Sequence, residues 1–400
     1  MKSELEPGQL RGSLFLLQQH IISEGYRGYD PFDGLMSPIF RMPVLRSHKL
    51  IRLVFQQVFK RSPLNLRRLF RIQKGLNPVT VGLCIQAFTY LSQVFIEREE
   101  LFTGEIDRCL EKLTELRSSG FSGACWGYDF DWEARYARIP AYTPTVVATG
   151  IIENALYEYY VHSHDERAKD LILSAAEFVV HDLNRTWEGD TFCFSYSPAD
   201  RQRVYNASMK GARILSHAYL ISKEQSHLEL AEQAVRFVIN HQNPDGSWSY
   251  SYGDDRTWAD NFHTAYVLES LKACYDAMNE SSILRAFNLG LNYYVKNFFT
   301  VDGIPKYYSN AVYPIDSTSV AQSIFTLTHF GHMPLASQVT AWTIANMQSH
   351  LGYFYYQRNK SFANKSDYMR WSNAPMFVAL SYLAFSLDQL QPGILQYCGD

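Results

Sequence analysis

"TPTVVATGIIENALYEYYVHSHDERAKDLILSAAEFVVHDLNR", Thr143 to Arg185, holds two helical signatures back to back. Its first half, to Tyr160, is apolar, rich in small residues and opens on Thr-Pro, as helix starts do. From Asp165 onward apolar residues recur at spacings of three and four while Glu166, Arg167, Lys169 and Asp170 fill the other face, the mark of a surface helix. An inner helix is followed by an outer one.

The inner signature returns in "NPVTVGLCIQAFTYLSQVF" from Asn77, "NASMKGARILSHAYL" from Asn206, "NFHTAYVLESLKACYDA" from Asn261, "DSTSVAQSIFTLTHF" from Asp316 and "SNAPMFVALSYLAF" from Ser372. Outer helices are read in "EIDRCLEKLTELRSS", "HLELAEQAVRFVINHQN" and "ILRAFNLGLNYYVKNFF". Inner segments start about 55 to 70 residues apart, so each repeat is a helical hairpin. Six inner and six outer helices predict an all-α fold, an (α/α)6 toroid with short aromatic loops or β-hairpins at one end. A lid and basic segment over residues 1–75, packed on a toroid over residues 76–400, is the expected division of one structural domain.

Composition bounds the function. Of 400 residues, 46% are apolar and 19% charged, enough for a large core. Aromatics reach 15%, with 27 tyrosines, which suits a cleft that stacks on sugar rings as well as a Tyr-rich core. Cys84, Cys109, Cys125, Cys193, Cys274 and Cys398 are scattered without a CxxC pair. They read as buried free thiols, so no metal or other cofactor is expected. The N-terminus lacks the pattern of a signal peptide and no run of about 18 apolar residues occurs, which points to the cytoplasm. Net charge is −3, yet no Asp or Glu occurs from Gly34 to Ile96, where ten Lys and Arg do. Residues 41–74 are therefore expected either to meet an anionic membrane, a lipid-linked diphosphate or an acidic glycan, or to pair with acids elsewhere in the fold. Nucleic acid is not expected, since no binding motif accompanies the charge.

Each loop that follows an outer helix leads into the start of an inner one, and these loops carry the candidate chemistry. In "WADNFHT", Asp260 and His263 are candidate acid and base and Asn261 a substrate ligand; Asp260 or Asn261 could equally cap the helix. "CWGYDFDWEAR" offers Asp129 and Asp131 as acids and Trp126 and Trp132 as stacking surfaces. Glycoside hydrolysis needs two carboxyl groups about 5 to 9.5 Å apart, which Asp129 or Asp131 with Asp260 would supply if the fold brings them together. "SDYMRWSN" (Tyr368, Arg370, Trp371) with "RVYNAS" (Tyr205, Asn206) suits proton abstraction beside a sugar carboxylate, because Arg binds carboxylates bidentately. The other reading is Arg370 paired to a loop acid and Tyr205 packed. Tyr196, Trp248, Tyr250 and Tyr307 complete the expected sugar-stacking set. "GYDPFDGLMSPIFR", Gly28 to Arg41, reads as a lid or a structural plug.

The phrases "GYRGYDPFDGLMSPIF", "CWGYDFDWEAR", "FSYSP", "VYNAS", "DNFHTAYVLESL" and "YMRWSNAPMF" resemble a bacterial family found among surface-polysaccharide biosynthesis genes. Some of its members are labelled delta-aminolevulinic acid dehydratase. The residues contradict that label, since such enzymes are α/β barrels with a lysine pair absent here. More widely the chain is similar to six-hairpin glycosidases, polysaccharide lyases, sugar epimerases and terpenoid cyclases. "QNPDGSW", Gln242 to Trp248, resembles the Gln-to-Trp repeat that ties outer helices together in triterpene cyclases. These resemblances imply a glycan or sugar-containing substrate, acidic or lipid-linked, and a hydrolase or uronate lyase/epimerase. A non-catalytic glycan-binding or assembly scaffold and a terpenoid-cyclase-like enzyme remain open, although Lys210, Arg213 and Glu269 on inner helices count against an apolar cyclase cavity.

Overall fold

A computed structural model describes residues 5–133 and 138–395. Cys398 lies outside them; the other five cysteines are buried and unpaired. The helices in chain order are α1 (Pro7–Ser23), α2 (Pro43–Ser47), α3 (Lys49–Arg61), α4 (Pro78–Val94), α5 (Glu99–Glu115), α6 (Val146–Ser163) and α7 (Glu166–Asp182). They continue with α8 (Tyr205–Ser222), α9 (Gln225–Asn240), α10 (Asn261–Met278), α11 (Ser281–Asn297), α12 (Ser317–His329), α13 (Met333–Met347) and α14 (Ala374–Leu390). Short antiparallel pairs occupy three loops: β1 (Trp132–Glu133) with β2 (Arg138–Ile139), β3 (Arg185–Glu188) with β4 (Thr191–Phe194), and β5 (Ile315–Asp316), β6 (Tyr355–Arg358) and β7 (Ala363–Asp367) in one sheet.

The chain divides into two compact units: Met1–Lys112, Tyr128–Thr143 and Tyr313–Asp400, and Leu113–Gly127 with Pro144–Val312. In the second, α8 packs between α6 and α10, with α7, α9 and α11 as outer helices. Every residue of α8 from Tyr205 to Ala218 is buried, which is what an inner helix requires. In the first, α14 packs between α4 and α12, with α13 and α1 outside and Phe102 of α5 stacked on Phe88 of α4. α1, at the head of the segment expected to form a lid, thus lies as an outer helix on α14.

All six inner segments form helices, and their starts follow local chemistry. Asn77, Thr145, Asp260 and Asp316 cap α4, α6, α10 and α12, each accepting a backbone N–H of the first turn. α6 starts later than Thr143 because Pro144 is taken up in a bridge to Gly127.

Outer helices are joined by a repeated turn. Gln242 donates to Gly246 O in its own turn and to Ala286 O of α11, at 3.0 and 2.9 Å. Gln348 does the same to Gly352 O and to Ser13 O of α1, at 3.1 and 3.0 Å. Gly246 and Gly352 sit at φ of +94° and +95°, and a Cβ on either would fall within 2.4 Å of the Leu289 or Leu16 carbonyl. The tie that "QNPDGSW" suggested is therefore present in each unit. Trp248 closes its turn by donating its indole N–H to Val238 O of α9 at 2.9 Å.

Candidate functional site

In the second unit, the first turns of α8 and α10 and the loop joining α9 to α10 enclose a hollow of about 230 Å3, counting space open to solvent. Asn206 comes from α8, His263 from α10, and Trp248, Tyr250 and Trp258 from the loop. Asp260 is nearly fully buried, and its two carboxylate oxygens have separate tasks. Oδ1 accepts the His263 backbone N–H at 3.0 Å, capping α10, and Oδ2 meets His263 Nδ1 at 2.7 Å. An ionised carboxylate only accepts, so Nδ1 carries the proton and Nε2 is left as the nitrogen that can gain or lose one. The imidazole is 24% exposed, enough to be reached and little enough to be held.

Aromatic rings fix the imidazole and add a flat wall. Phe262 lies 4.0 Å from its centroid, and Tyr250 meets it edge-on at 4.7 Å. Tyr250 is stacked on Trp258 at 5.4 Å, and its backbone N–H bonds Trp258 O at 2.8 Å. Trp258 is 39% exposed. The hollow thus combines an oriented imidazole with an accessible aromatic face, an arrangement suited to proton transfer on a ring-shaped polar ligand.

Other expected residues of this unit hold the site up. Asn261 is fully buried; its amide donates to Lys306 O at 3.1 Å and accepts the Tyr294 hydroxyl at 2.7 Å. Tyr307 O accepts the Asn261 N–H, and its ring packs against Phe262. Trp126 is buried with its indole donating to Leu113 O, and Trp248 lines the hollow but is 2% exposed, with its indole donating to Val238 O. Tyr196 is buried and its carbonyl accepts the Val146 N–H. Tyr205 borders the hollow but is buried against Phe237 and His241, and burial raises its hydroxyl pKa, which fits a packed ring better than a ready base. Asp254 is gripped by Arg256 through several hydrogen bonds, which hold it well below the usual carboxylate range.

The first unit carries a different polar cluster. Arg370 makes a bidentate pair with Asp30, at 2.6 and 2.9 Å, beneath Tyr128 and beside Trp371. Arg67 pairs with Asp33 at 2.7 Å, and burial still pushes the Asp33 carboxyl up to about 7. "GYDPFDG" is thereby fastened into this unit by two ion pairs. Asp129 accepts from Asn77 at 2.5 Å and is raised by burial to about 6. Asp131 instead accepts the Ala141 N–H at 2.9 Å. Trp371 donates its indole N–H to Asp316, which burial raises to about 6. Phe32 lies between Trp132 and Trp371, at 5.9 and 5.4 Å. Tyr368 is wholly buried under Arg67.

Twelve of the expected residues therefore fall into two groups, and Trp126, Tyr196, Asn261 and Tyr307 of the second unit lie outside both. Asp260, His263, Tyr205, Asn206, Trp248 and Tyr250 line one hollow. Asp129, Asp131, Arg370, Trp132, Tyr368 and Trp371 belong to the first unit. Sequence reading misses Trp258 of the hollow, although it names the loop that carries it, and the buried Asp316 and Lys60 of the first unit. The sequence carries little signal for Asp316 and Lys60: Asp316 opens an inner helix as a cap residue does, and Lys60 is one of ten Lys and Arg residues between Gly34 and Ile96. Burial lowers the Lys60 pKa, and its ammonium sits 4.4 Å from the Phe32 ring.

No protein-family model and no curated protein matches the chain. Among solved structures it is similar to the cellobiose 2-epimerase of Bacillus thermoamylovorans B4167, with 11% identity over 79% of this chain and 90% of that one, TM-score 0.61. It is also similar to an unsaturated glucuronyl hydrolase responsible for glycosaminoglycan degradation, from Bacillus sp. GL1, with 10% identity over 97% of each chain, TM-score 0.60. A family 76 glycoside hydrolase from a bovine Bacteroides thetaiotaomicron strain matches with 13% identity over 79% of this chain and 69% of that one, TM-score 0.55. At such identities the likeness concerns the fold, and that fold is the all-α, α/α toroid class that the helical repeat predicts.

Proposed function

We propose that the protein is a glycan-processing enzyme in which His263 is the acid/base. The observation that carries this is the His263–Asp260 pair at the start of α10, with the imidazole partly exposed beside the Tyr250–Trp258 face. In this reading Asp260 fixes the tautomer and steadies the imidazolium, Nε2 exchanges the proton, and the sugar ring lies against the aromatic wall. The kinship of fold with epimerases and glycosidases supports the same class of substrate. Among the described residues lining the hollow, Asp260 is the only carboxylate, and it is spent on His263. That favours proton abstraction beside a sugar carbonyl or carboxylate, as in a lyase or epimerase, over hydrolysis by two free carboxyl groups. A terpenoid cyclase fits less well, since the inner helices of this unit bury Glu153, Lys210, Arg213 and His217.

The finer role that the resemblance supports is surface-polysaccharide metabolism; the N-terminal pattern adds the cytoplasm, and the basic segment adds an acidic or lipid-linked sugar with residues 41–74 turned toward an anionic membrane. The test is to incubate the protein with cellobiose-type, mannan and uronate oligosaccharides. Deuterium uptake from heavy water reads epimerisation, new ultraviolet absorbance reads elimination, and new reducing ends read hydrolysis. One of these signals is expected, and it should vanish in His263→Ala. Binding without any of the three would make the protein a glycan-binding scaffold instead.

A further inference from the structure

On α3 the usual arrangement of a surface helix is reversed. Its inward face carries Arg52, Gln56 and Phe59, all buried. Arg52 Nε donates to Glu133 Oε2 at 2.6 Å, while Gln56 donates to Glu133 O and accepts the Glu133 N–H, at 3.2 and 3.1 Å. The outward face carries Leu50, Val54 and Val58, exposed to 72, 54 and 50% and spaced by four so that they form one stripe, with Ile51 beside them. Among the described residues, 22 large apolar side chains are exposed, and nine of them lie between Met36 and Leu69, under a tenth of the chain. Single exposed apolar residues need no explanation, but a run of them on one helix does.

The surrounding charge indicates what covers the stripe. Arg52 and Arg67 are buried against Glu133 and Asp33, and Lys74 pairs with Glu24. Arg41, Arg46, Lys49, Arg61, Arg68 and Arg71 are exposed, in a segment that contains no acid. A water-facing apolar stripe flanked at both ends by Arg and Lys complements an anionic bilayer, with aliphatic chains at the acyl boundary and cations at the phosphates. Thirteen residues of helix rise only about 20 Å, too little to cross a bilayer, so the helix would lie in its surface.

We propose that α3 inserts its Leu50, Val54 and Val58 stripe into the surface of an anionic membrane, with α2 and the flanking basic residues at headgroup level. The proposal rests on the reading of residues 41–74 as membrane-facing and goes further, making insertion of apolar side chains, and not charge alone, the source of affinity. It is tested with the full-length chain sedimented with phosphatidylcholine vesicles and with phosphatidylcholine/phosphatidylglycerol vesicles, at low and high salt. Wild type is expected to bind the mixed vesicles and to stay partly bound at high salt. The triple variant Leu50→Ser, Val54→Ser, Val58→Ser, all outward positions, should bind at least about tenfold more weakly with an unchanged melting temperature. Val54→Trp should shift its emission to the blue on the mixed vesicles.

Binding that is fully reversed by salt and equal in the triple variant would overturn insertion while leaving the membrane reading in place. Absence of binding to either vesicle would remove both. A change of oligomeric state in the triple variant without vesicle binding would make the stripe a contact between copies, and the proposal would fall.

Discussion

Asp260 and Asp316 are built alike. Each is the buried N-cap of an inner helix, accepts backbone N–H groups of the first turn, and takes a ring N–H on its carboxylate. For Asp260 the ring is the imidazole of His263; for Asp316 it is the indole of Trp371, assisted by Gln357 at 2.8 Å. An indole nitrogen is a permanent donor, so in the Asp316 arrangement the ring serves to hold a helix start and its loop together. An imidazole has a second nitrogen, and in the proposed function the same cap becomes one half of a proton-transfer pair. The two caps differ in the ring opposite the carboxylate, and the proposed function rests on that difference.

The largest effect is expected from removing the imidazole. With a substrate identified, His263→Ala should lower turnover by about 10²- to 10⁴-fold, with little change in melting temperature, and added imidazole should restore part of it. Loss of fold instead of rate would put His263 beside Trp371 as a structural ring.

Next in size is the ion pair of the first unit. Arg370→Met leaves Asp30 buried without its partner, and a loss of about 3–5 kcal/mol of stability is expected from denaturant unfolding. Adding Asp30→Asn should recover much of it, because the cost comes from the orphaned charge. If Arg370→Met instead abolished activity in a stable protein, Arg370 would belong to the chemistry as well.

Asp316 gives a pH signature. Its carboxyl pKa is raised to about 6 in the folded chain by burial, so folding favours the protonated form. That contribution is fully present below the ordinary carboxyl range near 3.8 and is lost as pH rises through about 6. Asp316→Asn should remove on the order of 2 kcal/mol of the decline in stability across that interval, read from unfolding midpoints between pH 4 and 7. An unchanged slope would mean that Asp33 or Asp129, also raised by burial, carries it.

The sequence made much of this legible because helices and their caps are local. Six apolar segments became six inner helices, and Asn77, Asp260 and Asp316 mark their starts as helix-cap chemistry requires. The Gln242 turn was visible as a pattern, but its copy at Gln348 was hidden, since "QSHLGYF" keeps only the Gln and the Gly four residues on. What pairs over distance was not legible. Arg370 meets Asp30 across 340 positions, and no spacing rule distinguishes that acid from Asp33 or Asp129. The reversed face of α3 was hidden for a related reason. Arg52 and Gln56 look solvent-facing until Glu133, from a distant loop, arrives to bond both.

The smallest effect divides the two duties of Asp260. Asp260→Ala removes both the bond to the His263 N–H and the bond to the ring, whereas Asp260→Asn keeps a carbonyl oxygen for the first. The alanine variant should lose about 1 kcal/mol of stability, and the asparagine variant only a fraction of that. Turnover should fall in both, because a neutral amide no longer steadies the imidazolium at Nδ1. Unfolding midpoints and rates measured on the same two proteins separate the outcomes. If activity followed stability, high in asparagine and low in alanine, Asp260 would be a cap like Asp316 and the proton-transfer role of its carboxylate would be lost.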